Sequence, residues 1–289
     1  MRYRIVVVAC MLPMHIASAG ALIENPCRTI LSDGFYSEYS RSNAQSRDQA
    51  MYAKLCSSNF QQARQAISRI QKSGIDSSFG ASYGLFSPGG SGIYSSNGSL
   101  DENRFNQWKS AYCSKNSLAD SSRAAEFLMQ KTTPQSVVDA WSACMRKYEG
   151  LTCWATPNVP QHDGILLNVN WTKADSSRPQ VRHSFLTRGA ASKFKGARTG
   201  KILPVGYELN AVPLHIAIAR ETDKSIVANL QVNPEGMEHS CNVFIPGDRD
   251  FALTTPFVRR SLIVENPSGS RRLDVDNSMM GGAKGFSSG

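Results

Sequence analysis

Between Ser176 and Lys201 the chain carries Arg178, Arg182, Arg188, Lys193, Lys195, Arg198 and Lys201 and not one acidic residue. Guanidinium and ammonium groups at this density pair with phosphate or carboxylate, so the segment is a candidate ligand-binding surface for an anionic glycan, a lipid headgroup or an acidic face of an envelope protein. From Leu151 onward the remaining residues hold nine bases against twelve acids, so the net positive charge of that half comes from this segment alone. Phe185 and Phe194 lie within it, and the alternation in "VRHSFLT" lines cations along one face of a predicted strand. A solvated loop whose charge serves solubility is the plainer reading of the same residues.

Other motifs carry less chemistry. Gly80-Ala81-Ser82-Tyr83-Gly84 spells GxSxG. A nucleophile elbow needs a strand before the serine and a helix after it, and the Ser/Gly-rich flanks supply neither. Gly196 to Lys201 imitates a phosphate loop, with three residues between its glycines where four are required and Ile202 in place of the magnesium-binding hydroxyl. His162, His183, His215 and His239 form no HxH or HExxH. "GDRD" at Gly247–Asp250 lacks the acidic run of a calcium loop, so no metal and no cofactor is expected. Asn97-Gly98-Ser99 and Asn170-Trp171-Thr172 are glycosylation sequons.

The first residues place the chain in a compartment. "MRYR" is basic, "IVVVACMLPMHIA" is apolar, and Ala17-Ser18-Ala19 offers the small side chains of a signal-peptidase site. Residues 1–19 therefore read as a signal peptide, and the apolar run is too short for a bilayer span of about 20 residues. Arg2 and Arg4 leave with it, two bases fewer, so the formal charge of +9 becomes +7. Export to the periplasm or the medium makes disulfides of the six remaining cysteines, Cys27, Cys56, Cys113, Cys144, Cys153 and Cys241.

Two textures follow. Residues 20–150 read as a helical module: "SRDQAMYAKLCSSNFQQARQAISRIQ" carries a helical stripe, and Thr133-Pro134 reads as N-cap and first turn of a helix whose face is Val137, Trp141, Cys144 and Tyr148. Gly150 marks its stop. A Ser/Gly-rich insert at 73–99 interrupts the module as a flexible tether. Residues 151–265 hold seven β-prone runs ("GILLNVNW", "VRHSFLT", "KILPVGYEL", "LHIAIAR", "SIVANLQV", "SCNVFIP", "RRSLIVE") after a junction at "CWATPNVPQ", and predict an antiparallel β-sandwich. Residues 266–289 are too poor in apolar side chains to fold alone and predict disorder.

The order Cys153, Trp171, Cys241 resembles the Cys…Trp…Cys order of immunoglobulin domains, which implies a sandwich with a cross-sheet bridge. His239 stands where the tyrosine corner belongs, and the cysteine interval of 88 residues is long for that family. If bridges stay within modules, Cys153 pairs with Cys241, and three arrangements remain for Cys27, Cys56, Cys113 and Cys144. The expected fold class is thus α+β, a disulfide-bonded helical bundle followed by an antiparallel β-sandwich. The expected function is non-enzymatic binding of an anionic partner at the basic segment, nucleic acid being the poorer fit for an exported chain. The alternative is a secreted hydrolase with a site between the modules.

Overall fold

The computed structural model describes residues 27–42, 44–72, 100–113, 117–157, 164–172, 178–233, 238–251, 260–266 and 269–275. The predicted signal peptide, the 73–99 insert with its GxSxG and sequon, His162 and residues 276–289 lie outside them. Within them the chain is α+β, with six helices followed by strands in two antiparallel sheets and a separate hairpin.

The helices are α1 (Cys27–Glu38), α2 (Ala44–Ser57), α3 (Phe60–Lys72), α4 (Glu102–Tyr112), α5 (Leu118–Gln130) and α6 (Gln135–Met145). The helical stripe that runs through 46–71 is two helices rather than one. At the break, Gln62 N donates to Asn59 Oδ1 (2.9 Å) and Asn59 N donates to Gln62 Oε1 (3.0 Å), a reciprocal cap that starts α3 afresh. Asp101 caps α4 through Arg104 N, and Ser117 caps α5 through Asp120 N. At α6 the structure corrects the expected start. Pro134 is the N-cap with no side-chain cap, and the Thr133 hydroxyl turns back to donate to Met129 O (2.7 Å), closing α5 instead. Val138 and Trp141 fill the buried face. Gly34 lets α1 and α6 approach closely, since a Cβ there would stand 2.5 Å from Val137 Cγ1. Phe35, Tyr39, Met51, Leu55, Phe105 and Trp141 form the centre of this core, each at most 1% exposed.

The strands are β1 (Gly150–Pro157), β2 (Gly164–Thr172), β3 (Val181–Leu186), β4 (Ala190–Ser192), β5 (Leu214–Arg220), β6 (Ile226–Val232), β7 (His239–Ile245), β8 (Arg260–Asn266) and β9 (Gly269–Val275). One sheet runs β1-β2-β5-β4 and the other β3-β6-β7. Ile165, Leu167, Val169 and Trp171 of β2 face Ile226, Ala228, Leu230 and Val232 of β6 across a shared core, as period-two alternation dictates. The predicted junction at Cys153–Pro157 belongs to β1, which begins at Gly150 in the left-handed region (φ +84°). Lys201–Leu209, expected as a strand, takes an irregular course with one bridge, Gln180 to Glu208. Pro204 has no N–H for a ladder and Gly206 sits at φ +83°, although Ile202, Leu203 and Leu209 are still buried. β9 falls in the stretch whose composition predicts disorder and pairs with β8.

The six cysteines pair as Cys27–Cys144, Cys56–Cys113 and Cys153–Cys241. The last joins β1 of one sheet to β7 of the other. Helix α5 lies against these same two strands: its Phe127 enters the strand core, while Trp154, Phe244 and Phe251 enter the helical one. Three disulfides fit an extracellular or periplasmic protein. Among the described residues no helix is long and apolar enough to cross a membrane.

Candidate functional site

Two regions gather chemistry, one at the β3 and β4 edge of the sheets and one where helices cover a sheet face. The first is the basic segment. A tight turn, Ala190 N to Thr187 O, carries the chain from β3, the outer strand of one sheet, to β4, the outer strand of the other. Arg182 lies in β3, Arg188 in the turn, and Lys193, Lys195, Arg198 and Lys201 in the stretch that folds back over that edge; Arg178 precedes β3. Six of the seven are exposed and Lys201 is half-buried. Among the described residues none of them is held in an ion pair.

What fixes this stretch is neutral. The fully buried Ser184 Oγ accepts the backbone N–H groups of Ile202 (2.9 Å) and Leu203 (3.1 Å), and Leu186 N donates to Gly200 O (2.8 Å). Phe194 packs edge-on against Tyr207, their ring centres 5.1 Å apart, while Phe185 stays 43% exposed. The cations thus stand on a pinned backbone at the edge farthest from α5.

The second region is a cleft of about 700 Å³ between α5, α6 and the outer face of the β1-β2-β5 sheet. Sequence reasoning missed it. Asn168 and Asn170 of "LLNVNW" alternate with the apolar face of β2, yet they are 4% and 3% exposed because helices cover them. Asn168 Nδ2 is directed at Trp154 O (3.3 Å), Thr156 Oγ1 (3.2 Å) and Leu166 O (3.3 Å). That leaves its Oδ1 facing His215 Nδ1 at 2.6 Å; an amide oxygen accepts, so Nδ1 is the donor here and Nε2 is the nitrogen that carries the lone pair whenever the ring is neutral. Asn170 Nδ2 donates to Arg146 O (3.0 Å) and to Thr172 Oγ1 (2.7 Å), which itself donates to Arg146 O (2.9 Å). The sequon side chain therefore ties the end of α6 to β2.

A smaller chamber of about 170 Å³ lies behind the cleft, and Phe127, Gln130 and Trp154 line both. Gln130 Nε2 donates to Ala155 O (3.0 Å), which turns its Oε1 away. That oxygen and the indole nitrogens of Trp154 and Trp141 are buried with no partner among the described residues. Each such group left dry costs about 1–3 kcal/mol. Arg28 and Glu126 pair at the inner wall, where burial pushes the Glu126 carboxyl above the usual carboxylate range while Arg28 pulls it down. Burial likewise lowers the Lys131 ammonium, at the rim, below the ordinary lysine range. Among the described residues no cluster of His, Cys, Asp and Glu is arranged to hold a metal; His183 and His215 lie on different sheets, and His239 packs edge-on against Trp171.

The fold is α+β, with a basic sheet edge and a helix-covered cleft. No known protein family matches the chain, and no curated protein does. It has a likeness to a solution structure of residues 27–141 of a conjugate transposon protein from Bacteroides vulgatus, at 13% identity over 36% of this chain and 90% of that one, with a TM-score of 0.26. A likeness of that size supports no statement about fold or function.

Proposed function

We propose that this is an exported, non-enzymatic binding protein, a helical bundle followed by a β-sandwich that presents a basic edge to an anionic partner, with residues 1–19 as its signal peptide. The observation that supports it is the placement of Arg178, Arg182, Arg188, Lys193, Lys195, Arg198 and Lys201 on one sheet edge, away from the helices and outside any ion pair among the described residues. Charged edges also keep strands from pairing with other chains, a role that needs no ligand. Salt separates the two, because polyanion binding weakens with ionic strength as each contact releases counterions.

Reversing Arg182, Arg188 and Lys195 to Glu tests the reading. The triple variant is expected to leave a heparin column at lower salt than the unaltered chain and to lose sedimentation with anionic vesicles. Heparin and vesicles separate a glycan partner from a lipid one. Co-elution of the variant with the unaltered chain removes the basic edge as the site.

A second reading, a secreted hydrolase working between the halves, is favoured by one observation: His215 is oriented at the cleft by a buried asparagine. Turnover of a chromogenic ester or glycoside that disappears in His215→Ala would carry this reading, and an inert chain across such a panel ends it.

A further inference from the structure

The cleft and its inner chamber have a charge imbalance that the basic edge does not explain. Arg28, Arg123, Lys131, Arg146 and Arg220 line them against two acids, Glu126 and Asp139; Arg123 also lies 3.9 Å from Asp120 and Arg220 4.0 Å from Asp248, so the surplus rests on Lys131 and Arg146, which no ion pair holds among the described residues. Each acid already has a partner: Arg28 holds Glu126, and Gln135 Nε2 donates to Asp139 at 2.9 Å. The walls between are apolar, with Phe127 and Val138 buried and Leu166 and Pro157 half-buried. Set into those walls are Trp154 and Gln130, whose indole N–H donor and Oε1 acceptor are buried with no partner among the described residues; Trp154 is 4% and Gln130 6% exposed. Buried polar groups are as a rule hydrogen-bonded, so orphans that line a cavity point to a bound molecule.

We propose that this cleft binds a small organic acid whose carboxylate takes the Trp154 N–H and the surplus positive charge, whose apolar body lies against Phe127, Val138 and Leu166, and whose hydroxyl or amino group donates to Gln130 Oε1. The combined space, about 700 Å³ with about 170 Å³ behind it, accommodates a molecule of amino-acid to dipeptide size. Arg146, exposed at the end of α6, draws the acid in. The oriented lone pair of His215 Nε2 gives the rim a further acceptor. This site lies on the helix-facing side of the sheets, so it stands or falls separately from the basic edge.

Titration calorimetry of the full chain at fixed ionic strength tests the inference with phenyllactate, phenylalanine, 3-phenylpropionate and inorganic phosphate as probes. Phenyllactate or phenylalanine is expected to bind, and 3-phenylpropionate, which lacks the donor for Gln130, to bind several-fold more weakly. Trp154→Phe keeps the ring and removes the N–H, and is expected to weaken binding about tenfold with an unchanged circular dichroism spectrum. Arg146→Glu changes an exposed side chain, so it reports on the site even if the tryptophan variant fails to fold. It is expected to weaken binding at low salt more than at high salt. The Arg182, Arg188 and Lys195 reversal should bind the acids as the unaltered chain does. The inference is overturned if no carboxylate binds below about 10 mM, if phosphate binds as well as the organic acids, or if both cleft variants bind like the unaltered chain.

Discussion

The helical half is tied by two disulfides, Cys27–Cys144 and Cys56–Cys113, whereas the strand half carries one, Cys153–Cys241, and is held mainly by register. Its helices run only 11 to 14 residues, lengths that are marginal alone in water. Cys27 and Cys144 sit in its first and last helices, so their bridge closes the whole half on itself. In the sheets each apolar residue meets a cross-strand neighbour, and slipping by one position would turn an entire face outward. One half is specified by covalent closure of weak local elements, the other by alternation.

That contrast can be broken most sharply at Cys27–Cys144. Replacing both cysteines with serine should cost about 4–5 kcal/mol on the chain-entropy account of a long loop. The helical circular dichroism signal should fall at lower denaturant while amides of β6, such as Leu230, keep slow hydrogen exchange. If strand amides lose protection with the helices, the halves form one cooperative unit and the contrast fails.

The next largest effect is expected at Gly34, where α1 meets α6. Gly34→Ala forces a methyl into Val137 and should cost about 2–3 kcal/mol. Adding Val137→Ala should recover much of that loss in urea unfolding. If the double variant is no better than the single, close approach of the two helices is not what Gly34 provides.

For the strand half the matching test is Ser184→Ala. Two buried backbone N–H groups lose their acceptor, a loss of about 2 kcal/mol at about 1 kcal/mol for each. Ile202 and Leu203 amides should exchange faster, and heparin retention should change little, because the cations remain. Unchanged exchange at both amides would mean that Ser184 does not pin the basic stretch.

The smallest effect belongs to the seam. Glu126 has a folded-state pKa above its unfolded value, so the folded chain binds that proton more tightly. The stability this contributes is gained as pH falls through the raised value and levels off near the unfolded value of about 4.3. The melting temperature of the unaltered chain, relative to Glu126→Gln, should therefore rise on acidification from neutral pH. A difference that stays flat with pH would show that burial does not dominate at this carboxyl.

Much of the architecture was legible where a single physical signal decided the outcome. β-Prone runs between turn residues marked β2, β3, β5, β6 and β7, and an apolar stripe marked α2, α3 and α6. The break at Ser58–Asn59 was hidden because the apolar stripe continues across it, although Asn59 and Gln62 stand at capping-box spacing. Strand β1 looked like a junction because its burial runs in pairs, Gly150-Leu151 and Trp154-Ala155, rather than alternating. The basic edge was visible as composition, but its place opposite α5 follows from strand order. The cleft was not legible: Gln130, Arg146, Trp154, Asn168 and His215 come from separate stretches that only the docking of helices onto a sheet brings together. Asparagines in a strand give no sign of whether water or a helix lies beyond them.

The Asn170 side chain has a consequence for how the chain is made. Its amide nitrogen, the atom a glycan would occupy, is spent on Arg146 O and Thr172 Oγ1 under the end of α6. In a glycosylating host that nitrogen is open only before the helices settle onto β2. A sugar at Asn170 would therefore act as a timestamp, marking chains caught before the seam closed, and such chains would lack the tether that joins helix to sheet.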